Sequence, residues 1–468
     1  MRRNGRSRPL SFGSVFMLVM LAVVLVGSAV VLGRLSSGAS VDLSKLKMQI
    51  LDLQGGQQEP GSGSGKTAAA AETQAEKPAG FPETSGSASV TSSTSEDKTS
   101  GTPDTDRQPQ NPAGGASDTN QPTSAGNDGG ESYTLTVAGT VCLEGEVLKN
   151  SWNTDAKAYD LADIMMLLKP ELQGDLNAVF LENILSDSEK VSEPVAPGEL
   201  VDLLQEAGFG TVACGYSKAY DKGPEGVGVT WMALDERGIL PTGIRPEDQQ
   251  DRPEILTVNG VKTALLQYTG TVPAKTRKKM EKAGTTGMVP AAEAGLIARE
   301  IEAARGQGAE AVIVLLKWGK TDSKPDSSQR ELAAAIAKAG ADLIIGSGSR
   351  IPQGAEYLEG QDGAKVLCVW SLGTLLTGDR SNPRHMAGWL LHVTIWKNGK
   401  GGAEILAPEY SPVYTWKYKQ DGRYYYRCLA SDQPAPDGMD SEQQKTMAKA
   451  EKAVSEILEG SPVERRIR

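Results

Sequence analysis

The chain has 468 residues, of which 5% are aromatic and 23% charged, and its formal net charge is −10 at neutral pH. An acidic protein repels the phosphates of nucleic acid, so nucleic acid is excluded as the main partner. The chain contains two histidines, His385 and His392, which argues against a metal centre built mainly from imidazole ligands.

The N-terminal 33 residues have the pattern of a membrane anchor. Residues 1–10 carry four arginines and are predicted to be a cytoplasmic basic tail. Residues 11–33 are uncharged and mostly apolar, long enough for one transmembrane helix. We therefore predict a single-pass protein of the cell membrane, anchored by an uncleaved signal-anchor, with the rest of the chain outside. A cleaved signal peptide is the alternative.

Residues 34–132 are rich in Gly, Ser, Thr, Pro and Ala and predict a disordered extracytoplasmic linker. The folded domain is predicted over 133–432, where short apolar runs alternate with amphipathic ones. The predicted strands include NAVFLEN, GTVACG, AVIVLLKWG, DLIIGSG and KVLCVWSLG, and the predicted helices include AYDLADIMMLLKPEL, PGELVDLLQEAG and DSSQRELAAAIAKAG. This alternation predicts an α/β domain with a largely covered sheet. Residues 433–468 are predicted to form a polar helical tail.

The four cysteines, Cys142, Cys214, Cys368 and Cys428, lack the CxxC spacing of a zinc site. They can pair in three ways in an oxidising compartment. Alternatively they are free thiols, since Cys142, Cys214 and Cys368 lie in apolar runs where cysteine behaves as a small hydrophobic residue. The sequence leaves both readings open.

Several segments, in order, resemble the CapA family of poly-γ-glutamate capsule synthesis, which belongs to the calcineurin-phosphoesterase-like superfamily. The segments are YDLADIMMLLKPELQGDLNAVFLEN, ELVDLLQEAGFGTVACGYSKAYDKG, PEILTVNGVKTALLQYTG, AVIVLLKWG, AGADLIIGSGSRIPQGAEYL and WSLGTLL. The resemblance implies a metallophosphoesterase-like α/β sandwich. It also implies a part in making, exporting or anchoring an anionic envelope polymer, with that polymer or a polymer-synthase membrane complex as partner.

The chain departs from the family pattern where that pattern carries metal ligands. The family's Gly-Asp falls on Gly139-Thr140, its Asn-Leu-Glu on Phe180-Leu181-Glu182, its Asn-His on Ser217-Lys218, its His-Trp-Gly on Lys317-Trp318-Gly319, and its Gly-His-His-Pro-His on Gly346-Ser347-Gly348-Ser349-Arg350. Exchanging histidine for lysine or arginine replaces a lone pair with a fixed positive charge. We therefore predict no metal and no cofactor.

Two acidic residues of the family pattern remain, Glu182 and Asp221. We predict a non-catalytic binding or scaffold module. The alternative is a phosphoesterase-like hydrolase, or a ligase-associated enzyme, with a reduced active site. In that case Glu182 and Asp221 would be catalytic and would act with one oxygen-ligated Mg²⁺ or Mn²⁺.

The replacements themselves predict a second kind of site. Lys218, Lys317 and Arg350 stand where the family places histidines, so they are expected to converge and bind a carboxylate or phosphate. The predicted ligand-binding residues are Lys218, Lys317, Arg350, Ser217, Ser347 and Ser349. The alternative is that these cations form salt bridges with a purely structural role.

Overall fold

The computed structural model describes residues 131–247, 254–270, 272–399 and 401–467. The predicted basic tail, signal-anchor and nearly all of the predicted linker lie outside these residues. Within the described ranges, none of the helices has both the length and the apolarity to cross a bilayer.

Strands account for much of the described chain. The first ten are β1 (Ser132–Val141), β2 (Trp152–Asn153), β3 (Ala158–Tyr159), β4 (Leu176–Leu181), β5 (Ile184–Ser186), β6 (Val195–Pro197), β7 (Thr211–Ala213), β8 (Leu240–Thr242), β9 (Glu254–Val258) and β10 (Val261–Thr269). The others are β11 (Ala311–Lys317), β12 (Leu343–Ser347), β13 (Pro352–Glu359), β14 (Lys365–Leu372), β15 (Thr374–Leu376), β16 (Ala387–Lys397), β17 (Ala403–Gln420), β18 (Arg423–Ala430) and β19 (Glu464–Arg465).

The helices between and after these strands are mostly short. They are α1 (Gly145–Ser151), α2 (Glu199–Ala207), α3 (Gly223–Asp235), α4 (Ala274–Ala283), α5 (Ala294–Gly306), α6 (Ser327–Lys338) and α7 (Ser441–Leu458), with 3₁₀ turns at Lys169–Glu171, Thr286–Met288, Gln361–Gly363 and Pro383–Met386. Helix α6 begins with a capping box, in which Asp326 and Gln329 each accept from the other's backbone N–H.

Two large sheets organise the domain. The first has the order β18-β17-β16-β1-β4-β7-β8, with β15 beside β1 and β19 beside β17. The second has the order β13-β14-β12-β11-β10-β9. Strands β1, β4, β7 and β8 run parallel in the first sheet, and β10, β11, β12 and β14 run parallel in the second.

The sheets pack face to face, with helices on their outer faces. Strand β11 shows why its sequence is a continuous apolar run: Ile313 and Leu315 enter the core between the sheets, whereas Val314 and Leu316 pack under α5 and α6. A strand covered on both faces has no solvent side for polar residues. The outer face of the first sheet is covered in the same way by α2 and α3. The predicted α/β class with covered sheets is confirmed.

One helical prediction needs correction, and one helix has no counterpart among the predictions. Residues 158–172 have helix-like apolar spacing, but they form the short strand β3, turns and one 3₁₀ turn. Most backbone hydrogen bonds within this segment join residues three apart, such as Ile164 N–H to Leu161 O at 3.1 Å, and Pro170 has no N–H to continue a helix. Conversely, the glycine-containing α3 was not predicted.

The C-terminal region is more closely integrated than a polar tail would be. Helix α7 buries Met447, Ala450, Val454 and Leu458 in the core between the sheets. After it, β19 adds parallel to β17. Residues 433–467 are therefore part of the sandwich, because the helix carries an apolar stripe as well as its polar face.

Candidate functional site

The carboxyl ends of parallel strands from both sheets meet at one edge of the sandwich. β1, β4 and β7 arrive there from the first sheet and β11 and β12 from the second. The Oγ1 of Thr140, near the end of β1, lies 2.6 Å from the Oγ of Ser347, the last residue of β12, and so ties the sheets together. Loops after such strand ends are the usual place for ligands in α/β folds.

A cavity of about 390 Å³ opens at this edge. Its lining comes from the loops after these five strands and from the loop between β5 and β6, and it is rich in charge. The charged or hydroxyl-bearing lining residues are Glu144, Glu182, Glu193, Tyr216, Ser217, Lys218, Lys317, Lys320, Thr321 and Arg350. The structure thus brings Lys218, Lys317 and Arg350 to one cavity.

Lys317 is held by a carboxylate. The last residue of β11, it forms an ion pair with Glu182, the residue that follows β4. Their side chains are 9% and 17% exposed, so both charges are largely removed from water. A buried ion pair persists because each partner compensates the other's desolvation. Glu182 is therefore occupied by an ammonium group within the cavity.

Arg350 is also paired. Its guanidinium lies 3.5 Å from Glu144 and 3.8 Å from Asp379. Burial lowers the pKa of Arg350, but these carboxylates and Glu182 outweigh it and leave the pKa raised, so the charge is permanent. The backbone of Arg350 is left-handed, with φ of +62°, and its carbonyl accepts from the Thr374 hydroxyl at 3.1 Å.

Lys218 differs from the other two cations. It follows β7, is exposed, and makes no ion pair with any other residue in the described ranges. Ser217 beside it also lines the cavity, whereas Asp221 is exposed and lies outside the lining. Glu182 and Asp221, the two predicted candidates for catalysis, therefore do not face one cavity together.

Ser347 and Ser349 do not fit their predicted role in ligand contact. Both are buried, at 0% and 2% exposure, and neither lines the cavity. Ser347 is engaged by Thr140, and the Ser349 hydroxyl donates to the Ile351 carbonyl at 2.6 Å. These serines hold the β12 loop in place, because a buried hydroxyl must find its partner inside the protein.

His385 belongs to an acidic cluster beside the cavity. Its Nδ1 lies 2.8 Å from Asp379 and its Nε2 2.7 Å from Asp322. Each ring nitrogen thus lies within hydrogen-bonding distance of a carboxylate oxygen. Asp379 is shared with Arg350, and hydrogen bonds from Ser381 and His385 outweigh its burial and lower its pKa. Neither aspartate was singled out from the sequence, since each stands in an exposed-looking loop outside any motif.

Two buried side chains, Cys142 and Tyr216, also line the cavity. Burial raises the pKa of the Cys142 thiol, and Glu182 and Glu144 raise it further. Burial likewise raises the pKa of Tyr216, with Cys142 and Glu182 adding to the effect. Tyr216 is 3% exposed, and its hydroxyl has no hydrogen-bond partner among the described residues. Sequence reasoning missed it, because an unsatisfied hydroxyl is recognisable only from its surroundings.

The donor set does not suit the dinuclear metal centre that the superfamily resemblance implies. Such a centre needs several carboxylate, imidazole and amide ligands around two cations. Two of the nearby carboxylates already form ion pairs here: Glu182 pairs with Lys317, and Glu144 pairs with Arg350. No cluster of three or more His, Cys, Asp or Glu side chains suited to a metal occurs within the described ranges.

All four cysteines are free and buried, which answers the question that the sequence left open. Cys142 lines the cavity, whereas Cys214, Cys368 and Cys428 lie within the hydrophobic clusters.

Comparison with known proteins gives consistent relatives. PGA biosynthesis protein CapA of Bacillus subtilis (strain 168) is 28% identical over 210 residues, which is 44% of this chain and 52% of the relative. Capsule biosynthesis protein CapA of Bacillus anthracis is 27% identical over 257 residues, 53% of this chain and 60% of the relative. The chain thus spans between half and two thirds of the length of these relatives.

Among solved structures, the calcineurin-like phosphoesterase YfkN from Bacillus subtilis aligns over 70% of this chain and 99% of its own, with a TM-score of 0.32 and 9% identity. A similarity at that level assigns neither fold nor activity. The sequence model described as "Bacterial capsule synthesis protein PGA_cap" matches residues 134–379, more than half of the chain. The chain therefore belongs to the family of bacterial capsule synthesis proteins that this model defines.

Proposed function

We propose that the chain is a membrane-anchored, non-catalytic binding or scaffold module. It would serve in the synthesis, export or anchoring of an anionic envelope polymer of the poly-γ-glutamate type. Membership of the capsule synthesis family supports the process, and so do the two relatives named for PGA and capsule biosynthesis. The apolar run at 11–33 supports the anchor.

The pairing of Lys317 with Glu182 carries the proposal. The ammonium of Lys317 sits on the one carboxylate that the chain keeps from the family's Asn-Leu-Glu motif. An ammonium group on this carboxylate takes the place of a metal ion there, and Lys218, which lines the same cavity without an ion-pair partner among the described residues, favours an anion. The chemistry of the cavity therefore suits binding of an anionic group better than metal-assisted hydrolysis.

The test uses the full chain, purified in detergent. Its binding to poly-γ-glutamate is measured by calorimetry with Mn²⁺ and with a chelator, and a neutral dextran of similar length is the control. We expect polymer binding that weakens with salt and is indifferent to the chelator, because the contacts are between side-chain cations and carboxylates.

A phosphodiesterase assay on the same preparation addresses the catalytic alternative. We expect no turnover. Tightly held metal at one or two equivalents, together with turnover that Glu182→Gln abolishes, would show instead that the site is an enzyme with a reduced ligand set.

A further inference from the structure

The cavity described above contains four cationic side chains, of which Lys317 and Arg350 are already neutralised by carboxylates. Lys320 is 80% exposed and reaches outward, to within 3.8 Å of Asp326. The only one with no carboxylate partner in the described part of the chain is Lys218. The three cations that the sequence places together are therefore unequal: two are internal counter-ions and one is available.

The two residues before Lys218 supply hydrogen-bond donors at the same place. Tyr216, Ser217 and Lys218 are consecutive residues of the loop after β7, and all three line the cavity. The Tyr216 hydroxyl is buried and unsatisfied among the described residues, and its phenol stays protonated at neutral pH because burial raises its pKa. Buried polar groups in proteins nearly always have a partner, so an unsatisfied hydroxyl on a residue that lines a cavity marks a place where a ligand atom can bind.

We propose that Tyr216, Ser217 and Lys218 form a binding site for a single carboxylate group, of the kind carried by each unit of a poly-γ-glutamate chain. This inference rests on the proposed function and narrows it to one segment and one ligand group. A carboxylate accepts hydrogen bonds only, which matches a phenol, a hydroxyl and an ammonium group.

The charge balance of the cavity favours a monoanion. Three of its four cationic side chains lie near a carboxylate: Lys317 near Glu182, Arg350 near Glu144 and Asp379, and Lys320 near Asp326. Lys218 is the lining cation that remains without such a partner among the described residues, and one carboxylate ligand pairs with it. A phosphate dianion would bring a second negative charge into a partly buried space that already holds Glu144, Glu182 and Glu193, which is electrostatically unfavourable.

The same balance assigns different roles to the three cations. To contact the ligand directly, Lys317 would have to leave Glu182 and Arg350 would have to leave Glu144, which would expose buried carboxylates without compensation. Lys218 gives up no ion pair on binding. Loss of Lys218 should thus affect affinity without affecting stability.

The experiment measures binding of a short γ-linked glutamate oligomer to the full chain by calorimetry. We expect Lys218→Gln and Tyr216→Phe each to weaken binding about tenfold, which corresponds to about 1.4 kcal/mol. The matched controls are Lys222→Gln, four residues further along and outside the cavity lining, and Tyr426→Phe, which removes another buried hydroxyl without a partner among the described residues. Both controls should bind like the parent chain.

Thermal unfolding of each variant separates loss of fold from loss of ligand contact. Lys218 is exposed, so its variant should unfold at the parent temperature. Tyr216→Phe removes an unsatisfied polar atom and should be at least as stable as the parent chain. Weaker binding together with unchanged or higher stability is a result that a structural role for these residues would not give.

Two outcomes would contradict the proposed carboxylate-binding site, and they are distinguishable from failure of the proposed function. Parent-like oligomer binding by both Lys218→Gln and Tyr216→Phe would show that these residues do not form the site, while polymer binding itself would stand. Equal competition by a polyphosphate of matched length would remove the carboxylate preference. Absence of any binding by the parent chain would instead contradict the proposed function itself, and with it the carboxylate-binding site.

Discussion

At the scale of single residues, the pair of Lys317 and Glu182 decides how the site behaves when it is altered. Both side chains are at least four-fifths buried, so removing one leaves the other charge without compensation. We expect Lys317→Met to lower the free energy of unfolding by roughly 3 kcal/mol, the cost of breaking a buried pair. Urea denaturation of the variant and the parent measures the difference.

The double variant Glu182→Leu with Lys317→Met tests the cause. It removes both charges, so most of the lost stability should return, because apolar groups of similar size need no compensation. Lys320→Met makes the same exchange at a lysine that is 80% exposed, and it should change the free energy by less than about 1 kcal/mol. A double variant as unstable as Lys317→Met would show that packing, and not charge, stabilises this position.

The sequence predicted part of this site for a physical reason. Lys218 and Arg350 follow predicted strands, and Lys317 lies near the end of one. Because the carboxyl ends of parallel strands meet at one edge, their convergence on one cavity could be anticipated. Their pairings could not. Glu144 and Asp379 stand outside the motifs, and only the three-dimensional arrangement brings them to Arg350.

At the scale of elements, β1 closely approaches the backbone between β14 and β15 at Gly139. A Cβ built there would lie 2.5 Å from the Gly373 carbonyl oxygen and 3.0 Å from that of Leu372. The pairing of β1 with β4 also shifts register between Ala138 and Thr140. We expect Gly139→Ala to cost about 1–3 kcal/mol, because backbone atoms cannot move aside as a flexible side chain can.

Gly228 in α3 provides the matched control for this substitution. Nothing lies within 4 Å of a Cβ built at this helical position. Gly228→Ala should therefore raise stability by about 0.5–1 kcal/mol, since alanine loses less backbone entropy on entering a helix. Chemical denaturation of both variants gives the comparison. Equal effects of the two substitutions would show that the close approach at Gly139 does not constrain β1.

Whether an element could be predicted from the sequence depends on whether its own residues or its contacts determine its structure. Continuous apolar runs such as that of β11 identify strands covered on both faces, because few other structures need them. Residues 158–172 have helical spacing as well, yet packing against the sheet leaves them as turns. Helix α3 carries glycines that weaken its sequence signal, and contacts with β5 and β8 stabilise it instead.

At the scale of the whole molecule, the cysteines report on the integrity of both sheets. Cys142 and Cys214 follow β1 and β7, Cys428 lies in β18, and Cys368 lies in β14 of the second sheet. The largest exposure among them is 8%, at Cys142, and burial raises the pKa of all four thiols. Since the thiolate is the reactive form, the folded sandwich should protect all four.

A thiol-specific colorimetric reagent at pH 8 measures this protection directly. We expect the folded full chain to show no rapidly reacting thiol, because each sulfur is both shielded from the reagent and protonated. Denaturation in guanidinium without reductant should release four reactive thiols, the full number in the sequence. Ser328→Cys on the exposed face of α6 should react at once in the folded state and shows that the reagent is active. Release of only two thiols on denaturation would reveal a disulfide and would contradict the arrangement of four separate buried cysteines.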